Sequence, residues 1–195
     1  MSQLKDKVVL ITGAGKGAGR ALALAFGERG AIVAANDISP VNVDQVAAEI
    51  VSRNGRAKAY IEDVAKKVGA QYLVNSVEED FGRIDILVNH AAVEPHTSLL
   101  EMDEWDWHRT LDVNLTGAFL MMQSTARVMK ERGRGEILNI VAESGLGVAY
   151  RSSMAGLATL SRLADSEFNP HGIRIHTIQN STDVVKVVMS ILEAE

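Results

Sequence analysis

The sequence predicts an α/β domain, a three-layer doubly wound parallel sheet of about six strands. Apolar runs of strand length alternate with stretches of helical period along the whole chain, and a glycine-rich turn joins the first run to the first helix. Strands that alternate with helices pair in parallel through right-handed crossovers, which places helices on both faces of the sheet.

The elements follow in order. Val8-Val9-Leu10-Ile11 is the first strand, Thr12 to Gly19 the turn, and Ala21 to Phe26 the body of the first helix. Ala31 to Ala35 reads as a second buried strand ending at Asn36-Asp37. Ser39-Pro40 then starts a helix, with a capping hydroxyl and proline at the first helical position. Val43, Val46, Ala47, Ile50 and Val51 recur along that helix, and Asn54-Gly55 ends it. Lys58 to Ile61 is a weaker third strand leading to Asp63. The next helix carries Val68, Tyr72 and Val77 on one face and closes at Phe81-Gly82. Ile84 to Val88 is a strand ending at Asn89. A long helix runs from Asp103 to Lys130, with Leu111, Leu115, Phe119, Met122, Ala126 and Met129 along one stripe. Ile137 to Val141 is the fifth strand, Ser152 to Glu167 a helix, Ile173 to Ile178 the sixth strand. A final helix carries Val184, Val185, Val188 and Leu192 on one side.

Composition sets the bounds. The 195 residues suit one domain, residues 1–195, with a full core. A chain 47% hydrophobic and 23% charged reads as globular, and its net charge of −5 argues against a nucleic-acid partner. Without cysteine there is no disulfide framework and no thiolate chemistry. Neither a signal-peptide core nor a bilayer-spanning apolar run is found, so the expected setting is the cytoplasm, with no membrane partner. The five histidines show no metal-ligand spacing, and no metal site is expected. Trp105 and Trp107 read as packing residues, and Glu143 as a solvated loop carboxylate.

The glycine turn is the main functional signal. A strand, a turn containing Gly13, Lys16, Gly17, Ala18 and Gly19, and a helix together make a pyrophosphate corner. The glycines let the backbone approach the anion, and the helix presents unpaired N–H groups and a positive dipole end. Asp37, 24 residues after Gly13, suits the two hydroxyls of an adenosine ribose and repels a 2′-phosphate. Its alternative role is a helix N-cap. Lys16 pulls the other way, but one solvated cation weighs less than a bidentate acceptor, so NAD is expected over NADP. Asp63 and Asn89 end strands where ligands bind in open α/β sheets, one suited to adenine and the other to the ribose side. Either could instead cap a turn.

With these residues in place, the chain resembles the short-chain dehydrogenase/reductase family from Lys5 to Ile178, which implies a Rossmann-like fold. The turn matches the family's Thr-Gly-x-x-x-Gly-x-Gly pattern. Asp63-Val64 looks like its adenine-contacting pair. Asn89-His90-Ala91-Ala92 is similar to its Asn-Asn-Ala-Gly segment, which implies that Ala91 lies at the cofactor. Val113-Asn114 and Gly172-Ile173-Arg174-Ile175 match two further stretches. The resemblance implies hydride transfer between NAD(H) and a small-molecule carbonyl or alcohol, with Tyr150 and Asn114 in the catalytic set. It also implies a homo-oligomer, paired through the long helix.

The chain departs from the family at three places. Met154 stands four residues past Tyr150, where the family has the lysine that lowers the phenol pKa. An unassisted tyrosine titrates near ~10, so only roughly one in a thousand is ionised at neutral pH. Arg151 is a cation, but one residue on it projects about a hundred degrees away around the helix. Ala142 aligns with the catalytic serine, leaving Ser144 as a substitute hydroxyl or a loop residue. Past Ile178 the expected Pro-Gly, substrate-covering segment and last strand do not follow, and the sixth strand is left as an edge unless the last helix or a partner subunit covers it. The sequence therefore leaves open a slow oxidoreductase, a non-catalytic NAD(H)-binding sensor or partner subunit, and a product that has lost its ligand.

Overall fold

The computed structural model describes residues 3–142, 147–181 and 183–193. Six strands form one sheet in the order β3-β2-β1-β4-β5-β6. They are β1 (Val8–Thr12), β2 (Ile32–Asp37), β3 (Arg56–Ile61), β4 (Ile86–Asn89), β5 (Gly135–Val141) and β6 (Ile173–Gln179), and every pairing is parallel. The helices are α1 (Gly17–Glu28), α2 (Pro40–Ser52), α3 (Lys67–Phe81), α4 (Glu104–Leu111), α5 (Ala118–Glu131), α6 (Val148–Phe168) and α7 (Val184–Glu193). The fold is the Rossmann-like doubly wound sheet that the alternation predicts.

Period-two alternation makes each central strand serve two cores. Val8 and Leu10 of β1 pack with Leu73, Val77, Met121 and Leu157 from α3, α5 and α6. Val9 and Ile11 face the opposite way, against Leu22, Phe26, Val46, Val188 and Leu192 from α1, α2 and α7. Both faces of β1 are fully buried, which is why its sequence is an unbroken apolar run. Among the described residues β6 is a sheet edge, and no helix is long and apolar enough to cross a membrane.

Several local expectations need correction. The buried stripe of α3 is Gly69, Ala70, Leu73, Val74 and Val77, while Val68 and Tyr72 point to solvent. Val51 of α2 is also exposed. Ser39 makes no side-chain cap; its own N–H instead donates to Asp37 Oδ1 at 2.9 Å. Helix α6 begins at Val148, before the expected start, so Tyr150 lies in its first turn. The long helix also changes phase at a π-helical segment, Asp112–Gly117, between α4 and α5. A wider turn rotates the following residues, so Met121, Met122, Thr125, Ala126 and Met129 are buried whereas Phe119 is exposed.

Asp85, in front of β4, fastens the N-terminal ends of the two central strands. Its Oδ2 accepts from Val8 N at 2.8 Å and from Arg83 Nε at 2.7 Å, and its Oδ1 accepts from Arg83 Nη2 at 2.5 Å. Replacing it strands a buried backbone N–H and an arginine at once. Asp85→Ala is expected to lower stability by about 2–3 kcal/mol, more than Arg83→Ala, in urea unfolding. Equal midpoints for the two variants would show that the Val8 bond contributes nothing.

Candidate functional site

The sheet reverses its strand order between β1 and β4, whose following helices lie on opposite faces. A crevice opens outside the carboxyl ends of these strands, the usual ligand position in open α/β sheets. Here it is a cavity of about 440 Å³. Gly13, Lys16, Asp37, Asp63, Val64, Ala91, Tyr150 and Met154 all line it, so residues scattered over the sequence share one chamber.

The glycine turn has the form an anion cradle requires. Gly13 and Gly17 have positive φ of 65° and 56°, and a methyl group built on Gly17 would meet only open space. Gly19 is packed tightly instead: a methyl there would fall 2.2 Å from the Gly13 carbonyl oxygen. Lys16 is exposed at the start of α1, and Ala18 is half-buried beyond the rim. This open backbone beside a helix N-terminus fits a dinucleotide's phosphates.

Asp37 closes the turn from the β2 side. Its Oδ2 accepts from Gly15 N at 3.0 Å while Oδ1 takes the Ser39 N–H, and a carboxylate that lines the cavity has capacity to accept further bonds. Asn36 beside it is buried, donating Nδ2 to the carbonyls of Tyr60 at 3.2 Å and Glu62 at 3.1 Å. Those bonds fix the exit of β3, where Asp63 Oδ1 accepts from Ala65 N at 3.1 Å and Lys66 approaches Oδ2 at 3.5 Å. Val64 turns inward and joins the core.

Asn89 and Asn114 stand behind this cavity. Asn89 Nδ2 donates to Asn139 Oδ1 at 2.8 Å, and Asn139 donates to Ser161 Oγ at 2.8 Å, so a buried polar chain ties β4 and β5 to α6. Asn114 sits in the π segment, accepting from Val93 N at 2.8 Å and donating to Val93 O and Ser153 Oγ at 3.0 Å each. Ser153 Oγ in turn donates to the Tyr150 carbonyl at 2.7 Å. Asn114 thus connects the loop after β4 to the turn that carries Tyr150. Asn89 and Asn114 share a second, small chamber with Met154.

Tyr150 is buried, and no described residue hydrogen-bonds its hydroxyl. Burial, and secondarily the Glu94 charge, raise its pKa above the ordinary phenol value. Met154 is buried with no charge to oppose this, Arg151 is exposed, and Ala142 is buried without a hydroxyl. Ser144 and Glu143 lie outside the described residues. Among the described residues, no group of three acidic, histidine or cysteine side chains could hold a metal.

Sequence reasoning missed two members of the site. Thr12 Oγ accepts from the N–H groups of His90 and Ala91, both at 3.1 Å, and donates to Val88 O at 3.4 Å. His90 lines the cavity against the turn. A threonine ending β1 and a histidine directly after Asn89 were the available signals.

A family model described as short chain dehydrogenase matches residues 7–193. An uncharacterized oxidoreductase of Thermotoga maritima is 39% identical over 195 residues, covering 97% of this chain and 77% of the relative. A metagenomic short-chain oxidoreductase, solved in complex with NADP, superposes with a TM-score of 0.92 at 27% identity, covering 98% of this chain and 93% of that one. An NAD+-bound xylitol dehydrogenase gives a TM-score of 0.87 at 29% identity, over 91% of this chain and 70% of that one. The chain belongs to the short-chain dehydrogenase family, whose members are nicotinamide-dependent oxidoreductases.

Proposed function

We propose that this protein is an NAD(H)-linked oxidoreductase acting on a carbonyl or alcohol, with slow turnover because its proton relay is incomplete. The cavity that joins Gly13, Lys16, Asp37, Asp63, Val64 and Ala91 to Tyr150 carries this reading. A bound nicotinamide would supply or accept the hydride. Gly13, Gly17, Ala18 and Gly19 would receive the pyrophosphate at the start of α1, and Asp63-Val64 the adenine. Asn89, tied to Asn139, would hold the strand end beside the ribose.

Cofactor choice rests on Asp37. Two backbone donors fix its carboxylate, and its remaining lone pairs suit vicinal ribose hydroxyls while its charge repels a 2′-phosphate. Lys16 is one exposed, mobile cation and offers less. Neighbours with NAD+ and with NADP both exist, and Asp37 is the residue that supports the NAD reading here.

Tyr150 would donate the proton from a neutral phenol. Burial and, secondarily, Glu94 raise that phenol's pKa, so it stays protonated near neutral pH, as the acid in carbonyl reduction must be, but gives up its proton less readily. Nothing charged at position 154 eases loss of the proton, and Ala142 offers no hydroxyl to hold the substrate oxygen. Asn114 acts as a positioning residue, through Val93 and through Ser153 to the Tyr150 backbone.

The protein would also pair with a second copy. Leu115, Phe119, Leu160 and Leu163 form a shallow apolar face on the π segment, α5 and α6, with Ala155 and Gly156 small enough for close helix approach. Phe119 is 40% and Leu163 56% exposed, which an isolated chain would leave wet.

Cofactor fluorescence titrations should show saturable NADH binding tighter than NADPH, with the preference reduced roughly tenfold in Asp37→Ala. Failure of either nucleotide to bind ends this proposal. With a carbonyl substrate, Tyr150→Phe should lower turnover by about a hundredfold or more. Met154→Lys should raise it by at least about tenfold, as a cation lowers the phenol pKa by a unit or more. Binding without any turnover, unchanged by Met154→Lys, would make the protein a sensor. Light scattering should give a dimer or larger, and a monomer for the Phe119→Glu, Leu163→Glu double variant.

A further inference from the structure

We propose that His90 is a proton-linked cofactor-binding residue, whose imidazole takes up a proton when the pyrophosphate of NAD(H) docks on the glycine turn. The inference rests on the NAD(H) reading of the cavity.

The geometry places the ring inside the turn. His90 follows Asn89 at the end of β4, and its backbone N–H is held by Thr12 Oγ at 3.1 Å. A methyl group built on Gly19 would come within 2.7 Å of His90 Nδ1, and one built on Gly13 within 3.2 Å. The ring nitrogen therefore lies against two glycines of the turn, Gly13 and Gly19. It is shielded from solvent and, among the described residues, lacks a well-formed hydrogen bond, with the Gly13 carbonyl as its polar neighbour. An uncharged amide would keep this position polar at every pH; an imidazole makes its charge depend on what occupies the turn.

Burial holds the His90 pKa below its ordinary value in the free protein, opposed by the Gly13 carbonyl and the Asp37 carboxylate. The other charged groups around the cavity are Lys16 on the turn, Glu62 and Asp63 beyond β3, Glu94 beyond β4 and Arg109 on α4. All are present with or without ligand. A docked pyrophosphate adds negative charge at the turn and favours the imidazolium. The bound state then holds more of the proton than the free state. By linkage, affinity rises as pH falls through the bound-state pKa, and levels off below the free-state pKa.

Calorimetric titration with NAD+ from roughly pH 8 to pH 5.5, in paired buffers of different ionisation enthalpy, reads both Kd and proton uptake. The expected result is net uptake on binding, with Kd tightening by up to about tenfold per unit of pKa increase. His90→Asn should abolish both while still binding. If wild type and His90→Asn share one pH profile and one proton stoichiometry, the inference fails and the NAD(H) reading stands. No saturation with NAD+ or NADP+ at any pH overturns both. Should His90→Asn not fold, NMR titration of the five histidines in the wild type decides. One imidazole pKa must rise when NAD+ is added, and five unchanged values overturn the inference.

Discussion

The site exists because β1 and β4 are neighbours that send their chains to opposite faces of the sheet, and two side chains hold them together where they part. Asp85 ties the N-terminal ends by accepting the Val8 N–H. Thr12 ties the C-terminal ends, accepting from His90 and Ala91 and donating to Val88. Between these ties the strands are apolar on both faces. Everything at the mouth of the crevice follows: the turn after β1 is set against the loop after β4, and Asp37 buttresses it from β2 through Gly15. A loop free to drift by a hydrogen-bond length would not keep a glycine backbone open to an anion.

The element order was legible because this chain separates its periods cleanly. Runs such as Val8 to Thr12 can only be strands buried on both faces, and the helices between them repeat near 3.6. The face of α3 was not legible. Val68 and Tyr72 are apolar yet exposed, while Gly69 and Ala70 turn inward with Leu73, Val74 and Val77, and position 69 leaves no room for a side chain: a methyl on Gly69 would lie 2.4 Å from the Asp63 carbonyl oxygen. The close approach at Gly69 and the apolar stripe of Leu73, Val74 and Val77 together set the orientation. The π segment was hidden for a related reason. Its cause lies in Asn114, whose three hydrogen bonds run to Val93 and Ser153, and a one-dimensional pattern contains neither contact.

The site was legible in its glycines and strand-end carboxylates, whose residue types state their chemistry directly. It was opaque where a polar residue works through partners distant in sequence. Asn36 reaches residues 24 and 26 positions on, and Asn139 reaches Ser161. Behind the cavity, Asn89 ties β4 to β5 and through Asn139 to α6, and Asn114 ties the loop after β4 to α6. Tyr150 and Met154 do face the cavity, as their spacing on α6 requires.

Met154 raises the question of whether the chain lost a lysine for the sake of its core. The small chamber beside it is lined by Val64, Val113, Ala118 and Leu157, but also by Asn89, whose Oδ1 is buried without a partner. Burying a methionine there contributes about 1.5–3 kcal/mol. An unsatisfied buried acceptor costs about 1–3 kcal/mol. A lysine would bring three donors to the chamber that holds this acceptor, and its charge would lie on the helix face shared with Tyr150. Met154 and Tyr150 thus share a helix face that lines the cavity, and position 154 places no charge beside the phenol.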